Sequence, residues 1–296
     1  MAEVCQHASN CGTIAVGSPL PAPRALLLDL DGTMYKGGER VEGADRLIAR
    51  LETFGIPCWF VTNNSSRTPE EVANHLTRLG IAACPEQVVT SALAAADYIG
   101  RNHPGGRAYV IGEQGLREAL AAHPIRIEAE DSEGEREGFV ADLVVQGIDR
   151  TFDYGKLTAA VRHIRGGAAH ILTNPDLLLP SDGGLLPGAG SLGAAIAAAS
   201  GKQPIVVGKP SAILMNYALS RANVSPDDVW VVGDNPATDI AAARGAGCPS
   251  VLVLTGLCTD ADWEDRCRQA SAMPDAVCAG LDDLSALLQA QMETKG

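Results

Sequence analysis

Aromatic residues are scarce in this 296-residue chain, at 4% of the total, so aliphatic side chains and alanine must fill its interior. The eight cysteines (Cys5, Cys11, Cys58, Cys84, Cys248, Cys258, Cys267, Cys278) include no C-x-x-C pair. With six scattered histidines they form no zinc-like spacing. Reduced, mostly buried thiols in a cytoplasmic protein are the expectation, with a Cys5–Cys11 bridge the weaker alternative. Basic residues are outnumbered, 23 Lys and Arg against 36 Asp and Glu, for a formal net charge of −13. This excludes nucleic acid or an anionic membrane surface as the main partner, because both require basic patches. An anionic ligand would need a local cation, either a metal or a buried lysine. No apolar run approaches the roughly 18 residues that a membrane-spanning helix needs. Residues 1–23 carry no Lys or Arg and no long apolar run, so they do not read as a secretory signal. Polar, with Pro21 and Pro23 and without a helical or strand period, that segment is expected to be a flexible extension.

What is present is ordinary for a globular chain, 46% apolar and 20% charged, and long enough for one large domain or two of moderate size. Short aliphatic runs alternate with helical patterns. Strands are predicted at Ala25–Leu28, Cys58–Val61, Ala108–Ile111, Leu143–Val145, Ile171–Leu172, Ile205–Val207, Val229–Val232 and Val251–Leu254. Leu47, Ile48, Leu51 and Phe54 share one face of a helix over Ala44–Phe54 that Gly55 stops. Thr68 and Glu71 form a capping box with Pro69 at the first helical position, and Gly80 ends that helix. Such alternation predicts an α/β fold with a mostly parallel sheet covered on both faces. The acidic run Glu128–Glu137 reads as a solvated loop that interrupts the alternation where an inserted domain would sit.

Four polar motifs each follow a predicted buried strand: Asp29-Leu30-Asp31-Gly32-Thr33, Thr62-Asn63-Asn64-Ser65-Ser66, Gly208-Lys209-Pro210, and Gly233-Asp234 with Asp239 beyond. Ligands of open parallel sheets bind beyond the carboxyl ends of the strands, so motifs far apart in the chain are able to converge there. A D-x-D pair alone is common; four motifs in the same strand-end context define a site. Two other patterns fail. Gly188-x-Gly190-x-x-Gly193 has the dinucleotide spacing, but the first acid after it is Asp227, well beyond the place about 20 residues on that the fingerprint requires. It reads instead as a tight return from an insertion into a helix. Gly208-Lys209 is not a nucleoside-triphosphate loop, because Gln203 stands where a glycine is needed and Pro210 where Ser or Thr is needed.

On these motifs the chain resembles the haloacid dehalogenase-like (HAD) superfamily, and within it the NagD-like and 4-nitrophenylphosphatase branch. The runs that carry the resemblance are DLDGTMYKGG, FVTNNSSRTPEEVANHL, VVQGIDRTFDYGKL, ILTNPDLLLP, GLLPGAGSL, VVGKPS and VVGDNPATDI. The resemblance implies a Rossmann-like core over 24–103 and 190–296 and a large α/β cap inserted at 104–189. It also implies Mg²⁺ as cofactor, with Asp29, the backbone carbonyl of Asp31, Asp234 and Asp239 around it, Asp239 acting through water. Asp29 is then the nucleophile, a carboxylate able to attack phosphorus once a cation offsets anionic repulsion. Asp31, two residues on, protonates the leaving alkoxide and then activates water. Dehalogenases lack an acid at that place because halide needs no proton, so Asp31 favours a phosphatase. Thr62, the amide after it and Lys209 hold the phosphoryl oxygens.

Asn63, Asn64 and Ser65 either cap the turn after their strand or, as the branch favours for both asparagines, lie near phosphate and leaving group. Asn174 and Asp176 are either loop structure or substrate contacts from the insertion. Ala237 stands where many branch members carry an acid, which touches only the metal's outer surroundings. The expected function is hydrolysis of small phosphate monoesters of metabolites through an aspartyl-phosphate. A phosphotransferase or mutase using the same intermediate, and a non-catalytic binding protein of the same fold, are the alternatives. The oligomeric state stays open, with the branch's habit of pairing through its caps the one homodimer the resemblance offers.

Overall fold

The structure, a computed structural model, describes residues 12–16, 20–127, 141–181 and 184–293. The expected flexibility of residues 1–11, the Cys5–Cys11 alternative and the acidic run Glu128–Glu137 lie outside the described residues. Two parallel layers are built from the alternating pattern. The first is a seven-stranded sheet in the order Thr13–Ala15, Ala276–Cys278, Ser250–Val253, Val229–Gly233, Ala25–Leu28, Cys58–Thr62, Val88–Thr90. Every pair in it is parallel except the outermost, Thr13–Ala15 against Ala276–Cys278. Apart from the edge strand Thr13–Ala15, chain order runs outward in both directions from Ala25–Leu28, so the strand order reverses there. That reversal opens a crevice at the carboxyl ends of the strands.

Both faces of this sheet are buried, which is why its strands are continuous apolar runs. On one face Leu27, Val61, Val89 and Val231 pack against Ala92, Ala95, Ile99, Leu214 and Met215. On the other, Leu26, Leu28, Phe60, Trp230 and Val232 pack against Leu47, Leu51, Leu76, Leu284 and Leu288. Helix Ala44–Phe54 buries Ala44, Leu47, Ile48 and Leu51 and ends at Gly55, whose φ of 65° lets its amide close on Glu52 and Leu51. Thr68 and Glu71 complete the expected capping box at the start of Pro69–Arg78.

The second layer is a five-stranded parallel sheet, in the order Ile205–Val206, Ala169–Leu172, Leu143–Gln146, Arg107–Ile111, Arg126–Ile127. The expected return into the first layer at residue 190 does not occur there. Helix Ala189–Ser200 packs against helix Tyr154–Arg165, and Ile205–Val206 pairs with Ala169–Leu172, so the second layer keeps the chain until about residue 207. The glycines at its head serve close packing: a Cβ on Gly188 or Gly190 would run into the carbonyls of Asp176 and Pro175.

The described part of the extension, residues 12–16 and 20–23, is more structured than its composition suggests. Thr13–Ala15 adds an edge strand, Leu20 is buried, and Trp230 Nε1 donates to the Pro21 carbonyl at 2.9 Å. Three residues are too few to show a strand period; pairing with Ala276–Cys278 supplies what the local pattern lacks. The described cysteines are all free thiols, and among the described residues no helix is long and apolar enough to cross a membrane.

Within the second sheet His170 is buried, and neither ring nitrogen has a hydrogen-bond partner. Burial pushes its pKa down to about 4 from an ordinary 6.5. The folded state therefore holds the ring neutral, and the unfolded chain takes up the proton first as pH falls. His170 should cost nothing above its unfolded pKa and progressively destabilise the fold between about pH 6.5 and pH 4, by about 2–3 kcal/mol. Urea unfolding of wild type and His170→Leu at about pH 7.5 and about pH 4.5 tests this. The variant should lose that much less stability on acidification; equal losses would remove His170 as the cause.

Candidate active site

The central strand of the first sheet delivers Asp29 to the crevice. Its amide donates to the Val232 carbonyl at 2.9 Å, so the neighbouring strand brings Asp234 to the same edge. The strand on the other side brings Thr62. Beyond Gly233 a π-helical turn over Pro236–Ile240 folds back. The Asp239 amide donates to the Asn235 carbonyl at 2.9 Å, and Asp239 Oδ2 accepts the Asn235 amide at 3.1 Å. Asp29, Asp234 and Asp239, all buried, each present an oxygen within 4.8 Å of the others.

Lys209 reaches this cluster by an unexpected route. Its loop follows a strand of the second sheet, not of the first, so the four motifs do not all leave one sheet. Val207 and Gly208 amides donate to the Leu172 and Thr173 carbonyls, at 2.9 and 2.7 Å, and turn the chain back toward the crevice. Asn63 then grips the Lys209 backbone from both sides: its Oδ1 accepts the Lys209 amide at 2.8 Å, and its Nδ2 donates to the Lys209 carbonyl at 3.1 Å. The buried ammonium donates to Asp29 Oδ1, to Asp239 Oδ1 at 2.6 Å and to the Val61 carbonyl at 3.3 Å.

The electrostatics follow from three acids and one ammonium in a buried place. Burial, then repulsion from Asp239, holds the Asp29 carboxyl well above its ordinary range against the pull of Lys209. Asp234 is pushed up to about 6, first by burial and then by Asp239, although Leu257 donates its amide to Asp234 Oδ2 at 2.6 Å. Burial works against the charge on Lys209, but Asp239 and Asp29 outweigh it and raise its pKa. One cation leaves the trio under-neutralised, and the donor set is entirely oxygen. A hard divalent cation fits that combination.

Asp31 stands apart from the trio. Its side chain opens to solvent at the mouth, where Tyr35 Oη donates to Oδ2 at 3.2 Å. Loss of part of its hydration to the neighbouring protein raises its pKa, and the Tyr35 hydroxyl acts to lower it. It is therefore free to face a departing group, while only its backbone belongs to the expected ligand set. Thr62 is buried, its Oγ1 accepting the Asn64 amide at 3.1 Å.

Asn64 Oδ1 accepts the amides of Ser66 and Arg67 at 3.0 and 2.9 Å, which fixes the loop. Asn63 is a brace for Lys209. Asn174 donates to the Asn63 carbonyl at 2.8 Å and accepts the Asp176 amide at 3.1 Å. Asp176 accepts from Asn63 Nδ2 at 3.1 Å, so the insertion does place a carboxylate beside the site, held by Asn63.

Several contributors lie outside the expected set. Tyr35 orients Asp31, and Thr33 Oγ1 donates to Asp29 Oδ2 at 3.2 Å. Gly32 and Gly256 flank Asp234, and a Cβ on either would collide with its carboxylate. Gly32 also adopts a φ of 87°, and Thr255 Oγ1 donates to its carbonyl at 2.7 Å. The signal for Thr255-Gly256 is the one that locates the other loops, a polar turn straight after the buried strand Ser250–Val253.

A haloacid dehalogenase-like hydrolase family model matches residues 26–126, and a second HAD-like hydrolase model matches residues 206–284. The chain belongs to the HAD-like hydrolases. It is 42% identical over 234 residues, 79% of this chain and 88% of the relative, to the 5'-nucleotidase YutF of Bacillus subtilis. Among solved structures it resembles p-nitrophenyl phosphatase from Archaeoglobus fulgidus, with a TM-score of 0.81 and 30% identity over 90% of this chain and 99% of that one. It also resembles the glycerol phosphate phosphatase of Mycobacterium tuberculosis in complex with magnesium, with a TM-score of 0.79 and 38% identity over 90% of this chain and 78% of that one. The expected family, branch and α/β core with a cap are borne out.

Because Gly256 leaves no room for a side chain beside Asp234, Gly256→Ala should displace that carboxylate. The expected loss in turnover is on the order of 10²-fold, with weaker dependence on added divalent cation. A titration of phosphate release against Mg²⁺ measures both. Unchanged turnover and an unchanged cation midpoint would mean that the close approach is dispensable.

Proposed function

We propose that this HAD-like phosphatase is a Mg²⁺-dependent enzyme that hydrolyses small phosphate monoesters through a covalent phosphate on Asp29. The observation that carries this reading is the buried convergence of Asp29, Asp234 and Asp239 on the Lys209 ammonium at the strand-end crevice. The relatives' names differ in the alcohol and share the phosphate monoester, which supports the reaction class and leaves the alcohol open. A cytoplasmic setting, where the free thiols stay reduced, is part of the same reading.

Asp29, Asp234, Asp239 and the Asp31 backbone would hold Mg²⁺. When bound, the ion supplies positive charge that lets an anionic ester approach an anionic carboxylate. The chain's own groups do the rest. The Lys209 ammonium and the amides following Thr62 bind the phosphoryl oxygens and stabilise charge as it shifts toward the leaving group. Thr33 orients Asp29 through Oδ2. The Asp29 carboxylate forms a bond to phosphorus as the bond to the alcohol oxygen breaks, and Asp31 gives that oxygen its proton. Asp31, now ionised, takes a proton from water as the water oxygen attacks the phosphorus. The Asp29–phosphorus bond breaks, inorganic phosphate leaves, and both carboxyl groups return to their starting states. The second layer, through Asp176 and the loop at Asn174, limits the access of bulk water to this crevice.

Phosphate release from 4-nitrophenyl phosphate tests the reading. Wild type should be active with Mg²⁺ and inactive after chelation, and Asp29→Asn should be inactive in both conditions. Activity of Asp29→Asn equal to wild type would rule out the nucleophile. Turnover that survives exhaustive chelation would rule out the metal requirement.

Asp31→Asn separates the proton transfers from the attack. Hydrolysis of glycerol phosphate should fall by about 10²–10⁴-fold. With 4-nitrophenyl phosphate, whose leaving group needs no proton, one equivalent of nitrophenolate should appear in a burst, followed by slow turnover. Steady turnover at the wild-type rate would remove Asp31 from both roles.

A further inference from the structure

We infer that Arg67 is a specificity residue for the leaving alcohol, and that the preferred esters carry a second anionic group on that alcohol, which pairs with the Arg67 guanidinium. The inference rests on the phosphatase reading above and adds to it the side of the crevice on which the alcohol lies.

The loop that follows Thr62 fixes the Arg67 backbone. Its amide donates to Asn64 Oδ1 at 2.9 Å, and Thr68 immediately caps the next helix. Across the seam, the Gly115 amide donates to the Ser66 carbonyl at 2.9 Å, and any Cβ on Gly115 would run into the Arg67 backbone. Arg67 is thus clamped where the second layer meets the mouth of the site. Its side chain nevertheless remains exposed. Within the second layer Arg150 donates to Glu113 Oε2 at 2.6 Å, whereas no carboxylate among the described residues pairs with Arg67. A guanidinium carried on a fixed backbone, with no carboxylate partner among the described residues, is suited to planar, bidentate recognition of carboxylate or phosphate.

Its neighbours define what it faces. Asp31, the group assigned to protonate the leaving oxygen, feels the charges of Lys209, Arg67 and His75. Lys209 is committed to Asp29 and Asp239. His75 stacks edge-on against Tyr35 with ring centroids 4.9 Å apart, and burial, followed by Arg67, holds it toward its neutral form. Arg67 is left as the available cation on the Asp31 side. An anionic alcohol departing past Asp31 and Asp176 is repelled by both carboxylates, and Arg67 offsets that repulsion.

Matched esters test this. Phosphoglycolate and ethylene glycol bisphosphate each add an anion to 2-hydroxyethyl phosphate, one as carboxylate and one as phosphate. For at least one of the two, wild-type kcat/KM should exceed that of 2-hydroxyethyl phosphate, and Arg67→Met should cut that ratio about tenfold, chiefly through KM. Arg67→Lys should restore part of it. Which ester responds distinguishes carboxylate from phosphate as the natural partner. In wild type alone, raising NaCl from about 0.05 M to about 0.5 M should shrink the same ratio, because an exposed pair is screened while the shared phosphate cancels. Ratios indifferent to both Arg67→Met and salt would overturn the inference. Should Arg67→Met prove inactive on every ester, the salt dependence and Arg67→Lys decide. A wild type unable to hydrolyse even 4-nitrophenyl phosphate would instead count against the phosphatase reading.

Discussion

The Lys209 ammonium, buried between Asp29 and Asp239, is the interaction on which the arrangement of the crevice depends. Removing one partner from a buried ion pair typically costs about 3–5 kcal/mol, because the charge left behind has neither water nor counter-ion. Here the consequence reaches beyond stability. The lysine arrives from the second layer and the acids from the first, so the ion pairs tie the two layers together at the point where chemistry is proposed to occur. Asn63 reinforces the tie by bonding the Lys209 amide and carbonyl while its own carbonyl is held by Ser91 Oγ at 2.7 Å and Asn174 Nδ2 at 2.8 Å.

That tie explains the unusual charge balance. Three buried carboxylates around one ammonium are unstable as an isolated set, and burial raises the pKa of Asp29 and Asp234 accordingly. The cluster is therefore incomplete without further positive charge, which is the condition a catalytic metal site requires. The neighbouring glycines belong to the same economy of space. Gly32 and Gly256 let backbone approach Asp234 closely, so the carboxylate is held by its surroundings and by the Leu257 amide. Asp31 lies outside this crowding, exposed at the mouth with the Tyr35 hydroxyl donating to its carboxylate.

Much of this was legible from local pattern. Apolar runs predicted the sheet because both faces are covered, and Thr68–Glu71 predicted its helix because a capping box is satisfied within four residues. Less was legible where the deciding partner is remote. Thr13–Ala15 is a strand only because Ala276–Cys278 offers an open edge. Helix Ala189–Ser200 joins the second layer by packing on a helix some thirty residues earlier, which no local pattern announces. The bonds of Asn64 Oδ1 and of the Asn174 amide to loop backbone are not announced by residue type alone.

The sequence by itself determined which residues are able to do the chemistry, since D-x-D, the strand-end asparagines, the lone Lys209 and the late acids are chemical identities set at fixed strand ends. Tertiary structure alone decided how those identities are arranged: Lys209 is supplied from the other sheet, Asn63 grips its backbone, and Arg67 stands at the seam with no carboxylate partner among the described residues. The physical reason is that the contacts which place Lys209, to Asp29 and to Asn63, join residues more than a hundred positions apart, and no short stretch of chain encodes them.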